Sequence, residues 1–136
     1  MRFECALPWP PSVNRVWRRS GNRMHRSVQY DEWTRTAVFA LRRAGPPRMV
    51  PGPVSVELRL YGPSRRSYDI DNRAKAVLDL LQSEEVIEDD CLVDRLVLLR
   101  GPILRPEGLV YLTLERMDSG VVELPDGVAQ GSTPHT

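Results

Sequence analysis

Lysine is nearly absent from this chain: a single one, Lys75, stands among eighteen arginines. Histidine and cysteine are as scarce. His25 and His135 are the only histidines, and Cys5 and Cys91 the only cysteines. So few ligands argue against a zinc site of the usual Cys/His kind. Two lone cysteines are no disulfide framework, and a reducing, cytoplasmic setting is expected. No uncharged apolar run approaches the roughly 18–20 residues of a membrane span, so no membrane partner is expected. The opening MRFECALPWPPSVNR carries only a short apolar patch, broken by Glu4 and three prolines, which does not read as a secretory signal. Arginine serves most basic roles on this surface. A retained lysine marks a place where a compact, strongly hydrated point charge is wanted instead of a planar fork.

What is present reads as one globular domain. The chain has 136 residues, 41% hydrophobic and 27% charged, an ordinary composition for a folded protein with one core. The net charge of +1 hides an asymmetry. Residues 1–68 carry thirteen arginines against four acids, a net +9, whereas residues 69–136 carry six basic side chains against fourteen acids, a net −8. The split suggests arginines that hold a polyanion and carboxylates that hold something else. The alternative is that folding mixes the two halves and the bias has no consequence.

Along the chain, FECAL (residues 3–7) reads as a short strand, and Pro8, Pro10 and Pro11 then forbid regular helix. Asn14 to Arg26 holds five arginines and no acid and reads as a basic loop or arm. Ser27 is placed to cap a helix that runs to about Ala44, with Tyr30, Trp33, Ala37, Val38 and Leu41 on one face. Val54, Val56, Leu58 and Leu60 alternate with polar residues as a half-buried strand. A second helix is expected from Asp71 to about Gln82, with Ala74, Val77, Leu78 and Leu81 inward. Strands follow at 92–100 and within LVYLTLER (109–116), and residues 118–136 read as a disordered tail after a domain of residues 1–117. The mixture predicts a small α+β domain with a mixed, mostly antiparallel sheet and two main helices.

The chemistry concentrates in DIDNRAK (residues 69–75) and in the Asp89-Asp90 pair downstream. Asp69 and Asp71, two apart, share a face in extended chain. At the start of a helix, Asp71 also suits a cap or the positive helix end. Lys75 lies one turn beyond Asp71, about 40° around the axis. Asp79, a further turn on, is near enough to be a supporting partner but reads better as an exposed helix residue, whereas Asp89 is open between the two. Gathered carboxylates repel one another unless a cation joins them. Oxygen ligands without imidazole or thiolate select Mg²⁺, for which Mn²⁺ can substitute. The downstream pair reaches Asp69 and Asp71 only if the 92–100 strand neighbours the 54–61 strand. The plainer reading of Asp69 and Asp71 is a solvated turn with a helix cap.

PWPPSVNR, YDIDNRAKAVLDLL and VIEDDCLVDRL, in this order and spacing, resemble the RusA-type Holliday-junction resolvases over roughly residues 5–116. The resemblance implies a small homodimeric, Mg²⁺-dependent endonuclease that resolves four-way DNA junctions by paired symmetric cuts. It implies that Asp69, Asp71 and Asp90 are the essential metal-binding carboxylates and that Lys75 is the active-site lysine. The chain departs from the family pattern in having only Arg65 and Arg66 as a basic run before Asp69. It also has Glu84 and Glu85 where a turn glycine is common.

Asn14, Arg15, Arg18, Arg19 and Arg23, with Arg65, Arg66 and Arg73, are the expected DNA contacts, made to phosphates and hence sequence-independent. Trp9 and Trp17 suit either stacking on unpaired bases or internal packing, while Trp33 belongs to the core face of its helix. Two other functions fit the same residues: a non-catalytic DNA-binding module, and a nuclease of the same fold acting on forks or flaps.

Overall fold

The computed structural model describes residues 1–12, 17–20, 23–26, 28–118 and 122–128, with the backbone alone at 17–20 and 23–26. A four-stranded sheet is built from β1 (Arg2–Pro8), β4 (Val54–Tyr61), β5 (Val93–Arg100) and β6 (Leu109–Arg116) in the order β1-β6-β4-β5. Its β1–β6 and β6–β4 pairings are antiparallel and its β4–β5 pairing is parallel. Helices α1 (Val28–Arg43) and α2 (Asp71–Ser83) complete the core, and β2 (Trp17–Ser20) pairs with β3 (Arg23–Arg26) as a separate antiparallel ribbon. The α+β architecture with two helices and a mostly antiparallel sheet is the one expected.

Register explains the core. Opposed residues of paired strands share a face, and Leu58, Leu112 and Cys5 line up across three strands, as do Val56, Leu114 and Phe3, and Leu60, Val110 and Leu7. All nine are buried. They meet Tyr30, Trp33, Ala37 and Leu41 of α1 and Ala74, Ala76, Val77, Leu80 and Leu81 of α2 in one apolar cluster. Each large aliphatic side chain so buried contributes about 1.5–3 kcal/mol relative to exposure. Burial also pushes the Cys5 thiol up to about 11, so it serves as a small core hydrophobe.

Several expectations need correction. The stretch read as a loop or arm, 14–26, contains the β2–β3 ribbon, with Arg18 opposite His25 and Arg19 opposite Met24. Arginine-rich strands show no apolar alternation, which hid them. Gly21-Asn22 between the strands is a dipeptide suited to a two-residue hairpin link and was the available signal. Asn14, Arg15 and the cap residue Ser27 lie outside the described residues. The second helix does start at Asp71, but its N-cap position is Ile70 and no side chain caps it. Asp71 therefore sits in the first turn, where its charge favours the helix end. The last sheet-forming segment before Gly101 begins at Val93, because a 3₁₀ turn, Asp90–Leu92, precedes it. Where the chain beyond residue 118 is described, at 122–128, it is exposed and contains neither helix nor strand.

Gly108 turns the chain into β6 with φ +68°. A Cβ there would stand 2.6 Å from the Tyr61 carbonyl oxygen and 2.8 Å from the Pro63 nitrogen. Gly45 has a similar φ of +70° with open space around it. Alanine at Gly45 therefore costs only the left-handed strain of about 1–2 kcal/mol. Alanine at Gly108 costs distinctly more, because backbone must move. Urea unfolding of the two variants checks this, and equal costs would contradict the close approach.

Candidate active site

The parallel β4–β5 pairing places the acidic residues. Val54 pairs with Val93 and Leu60 with Arg100, so 92–100 does neighbour 54–61 as the site required. Helix α2 connects the two strands, with Asp69 and Asp71 at its amino-terminal end. The 3₁₀ turn then returns Asp90 alongside the helix. Gln82 on α2 fixes that return by accepting the Asp90 backbone N–H at Oε1 (2.9 Å). Asp89 caps the turn by accepting the Cys91 N–H (2.9 Å). That backbone hydrogen bond holds the Asp89 carboxyl below its ordinary range.

Lys75 is the hub. Its Nζ donates to Asp90 Oδ2 at 2.8 Å and lies 3.0 Å from Asp79 Oδ1. The hydrogen bond to Asp90, followed by that to Asp79, raises the Lys75 pKa above the usual lysine range. It is therefore a fixed positive charge across the neutral range. Asp79, which reads in sequence as an exposed helix residue, is instead a partner of the ammonium. Asp89 caps the turn and does not touch the ammonium among the hydrogen bonds and ion pairs of the described residues.

At the other end, Asn72 Nδ2 donates to Asp69 Oδ2 at 3.2 Å. Asp69 and Asp71 are exposed. Among the described residues, no three histidine, cysteine or carboxylate side chains are close enough together to hold a metal ion. Carboxylates repel one another, and Asp90 faces the ammonium of Lys75 in place of its fellow acids. The donor chemistry nonetheless fits a hard divalent cation, since every candidate is a solvent-reachable carboxylate. The neighbouring Cys91 thiol has its pKa raised, chiefly by Asp89, and so offers no thiolate.

An aromatic–guanidinium stack supports the loop that presents Asp69. Trp9 meets Tyr68 edge to face (centroids 4.8 Å apart, planes at 83°). The Arg100 guanidinium lies 4.3 Å above the Tyr68 ring and its Nη2 donates to the Tyr68 carbonyl (3.1 Å). Arg73 stands 5.2 Å over Trp9, and its Nη1 donates to the Pro10 carbonyl (2.7 Å). Arg73 thus ties the PWPP segment to α2 while also lining the cleft beside Asp69, and Trp9 packs against the core. Trp33 is buried as expected and donates its indole N–H to the Pro8 carbonyl (2.9 Å). Gln82, Tyr68 and Arg100 escaped the sequence reading. Only Gln82 left a signal, standing at the same helical edge as Lys75 and Asp79.

A cleft of about 660 Å³ opens beside Asp69, lined by Trp9, Pro11, Ser12, Gln29, Arg66 and Asn72 among others. Arg65 and Arg66 are exposed at its side of the molecule. Ser12 and Gln29, both lining this cleft, flank the arginine-rich ribbon in sequence. Arg18, Arg19 and Arg23 are strand positions of that ribbon.

Residues 8–107 match the family model described as endodeoxyribonuclease RusA. Curated relatives include the proteins named crossover junction endodeoxyribonuclease RusA of Escherichia coli strain K12 and of Shigella sonnei strain Ss046. Each is 29% identical over 115 residues, covering 85% of this chain and 95% of the relative. The protein of the same name from Enterobacteria phage 82 is 28% identical over the same shares.

If Arg73 is an internal tie, Arg73→Ala lowers stability by about 1–3 kcal/mol, the worth of a charge-assisted hydrogen bond. Arg73→Lys fails to restore it, since lysine has no planar fork to stack on Trp9. Urea denaturation measures both. A loss within about 0.5 kcal/mol would return Arg73 to the surface.

Proposed function

The chain belongs to the RusA endodeoxyribonuclease family, and from that premise we propose that it resolves four-way DNA junctions by paired symmetric phosphodiester cuts in a Mg²⁺-dependent reaction, with Mn²⁺ able to substitute. The observation that carries this reading is the Lys75–Asp90 contact, which joins the two separated acidic motifs of the sequence. Asp69, Asp71 and Asp90 would hold the cation. A divalent ion bound by carboxylates polarises the scissile phosphodiester and lowers the pKa of the attacking water.

The chain's own groups do the rest. Asn72 orients Asp69 through its amide. Lys75 supplies a fixed positive charge for the phosphoryl oxygens as negative charge builds in the transition state. Asn14, Arg15, Arg18, Arg19 and Arg23 on and beside the ribbon, with Arg65 and Arg66, meet backbone phosphates around the cleft and set position without reading sequence. Arg73 contributes by holding the cleft wall. A four-way junction has near two-fold symmetry. A homodimer with one site per subunit therefore delivers the two opposed cuts with one kind of chain.

Incubation with a labelled mobile four-way junction, a fork and a linear duplex, with and without Mg²⁺, tests the activity. Symmetric nicks on the junction alone, dependent on Mg²⁺, are expected. Asp71→Asn removes cleavage by at least about 100-fold while gel-shift affinity for the junction stays within about threefold, because affinity resides in the arginines. Lys75→Ala also loses cleavage and keeps its fold, as the ion pairs it breaks are largely exposed. Reversing charge at Arg18 and Arg19 weakens junction binding and flattens its salt dependence by roughly one unit for each phosphate no longer neutralised. An unchanged salt slope would remove the ribbon from the DNA interface.

A further inference from the structure

Lys75 has two carboxylate partners, and the proposed reaction asks one of them, Asp90, to hold a cation as well. The ammonium has three N–H donors. Asp90 Oδ2 takes one at 2.8 Å and Asp79 Oδ1 faces Nζ at 3.0 Å. A cation drawing on the Asp90 carboxylate weakens its attraction for Lys75, and two positive charges side by side repel. Only a second anchor keeps the lysine in place.

Asp79 is that anchor by geometry. It lies four residues beyond Lys75 on the same helix, so their spacing is set by α2 and does not depend on the 3₁₀ turn that carries Asp90. Its order along the helix points the same way. An acid four residues before a base supports a helix better than the reverse, and here the lysine comes first. Helix stability therefore gains little from this pair, and its presence is better explained by what it does for the ammonium. With Asp79 and Asp90 on two donors, the third is left for a phosphoryl oxygen.

We propose that Asp79 is a positioning residue that keeps the Lys75 ammonium in the site when Asp90 engages a divalent cation. The inference rests on the assignment of Asp90 as a cation ligand.

The lone lysine makes this directly observable. In the full-length protein labelled with ¹⁵N-lysine, one side-chain ammonium signal reports Lys75, and a parallel ¹³C-aspartate label reports the carboxylates. On titration with MgCl₂ alone, the wild-type Asp90 carboxyl signal shifts while the ammonium signal persists. In Asp79→Asn the ammonium signal is present without Mg²⁺ and broadens away as Mg²⁺ is added, whereas Asp79→Glu retains it. Junction cleavage by Asp79→Asn falls in kcat by roughly 10- to 100-fold, the range of one charge-assisted hydrogen bond, with KM within about threefold. Thermal unfolding of Asp79→Asn matches wild type, which separates positioning from a merely structural effect.

If the Asp90 signal shifts but Asp79→Asn keeps its ammonium signal and its kcat, the role of Asp79 is overturned and the site assignment stands. If Mg²⁺ leaves the wild-type Asp90 signal unmoved, the assignment of Asp90 is overturned and this inference with it.

Discussion

The parallel pairing of β5 with β4 is the constraint from which the candidate centre follows. Two parallel neighbours cannot be joined by a tight turn. The chain needs a crossover, and α2 is that crossover. The helix must start beyond the end of β4 and finish near the start of β5. The residues at its beginning, Asp69 and Asp71, and those after its end, Asp89 and Asp90, thereby belong to opposite ends of the crossover, and Asp90 reaches back along the helix to Lys75. Had β5 paired antiparallel after a short hairpin, Asp90 would have no route back to Lys75. Val54, Val56, Leu58 and Leu60, all fully buried, make that pairing central to the core as well as to the chemistry.

Charge and packing are divided around this unit. The acids and the one ammonium stand on α2, the loop before it and the 3₁₀ turn, exposed or half-exposed, where water screens their mutual repulsion. The guanidinium groups nearest them are occupied otherwise. Arg73 and Arg100 stack on Trp9 and Tyr68 and donate to main-chain carbonyls, so they stiffen the loop before Asp69. Arginine suits this task because its planar group packs flat on an aromatic face while still donating from its edge. Lysine would serve poorly there, and arginine would serve poorly as a compact charge between Asp79 and Asp90. Arg73 and Arg100 on one side and Lys75 on the other show that distinction.

Much of this was legible in the residues because it is local. Period-two alternation gave β4 at its observed bounds, and the spacing of Ala74, Val77 and Leu81 gave α2 to within a residue. That Asp71, Lys75 and Asp79 share one edge of α2 needs only helical geometry. The rest depends on contacts between residues far apart in sequence. Lys75 and Asp90 are fifteen residues apart, and their meeting depends on Gln82 receiving a main-chain N–H. The stacking of Arg73 over Trp9 likewise joins residues sixty-four positions apart. The β2–β3 ribbon was missed because its strands are polar, and strand periodicity is visible only when one face is apolar.

The placement of the arginine ribbon has a consequence for how such a molecule can diversify. Ser12 and Gln29, which flank it in sequence, both line the cleft beside Asp69. Among the described residues, no member of the apolar cluster lies between those two positions, so that stretch can change in length or charge without touching the core. Rim and core are separately adjustable, like an interchangeable jaw fitted to a fixed handle.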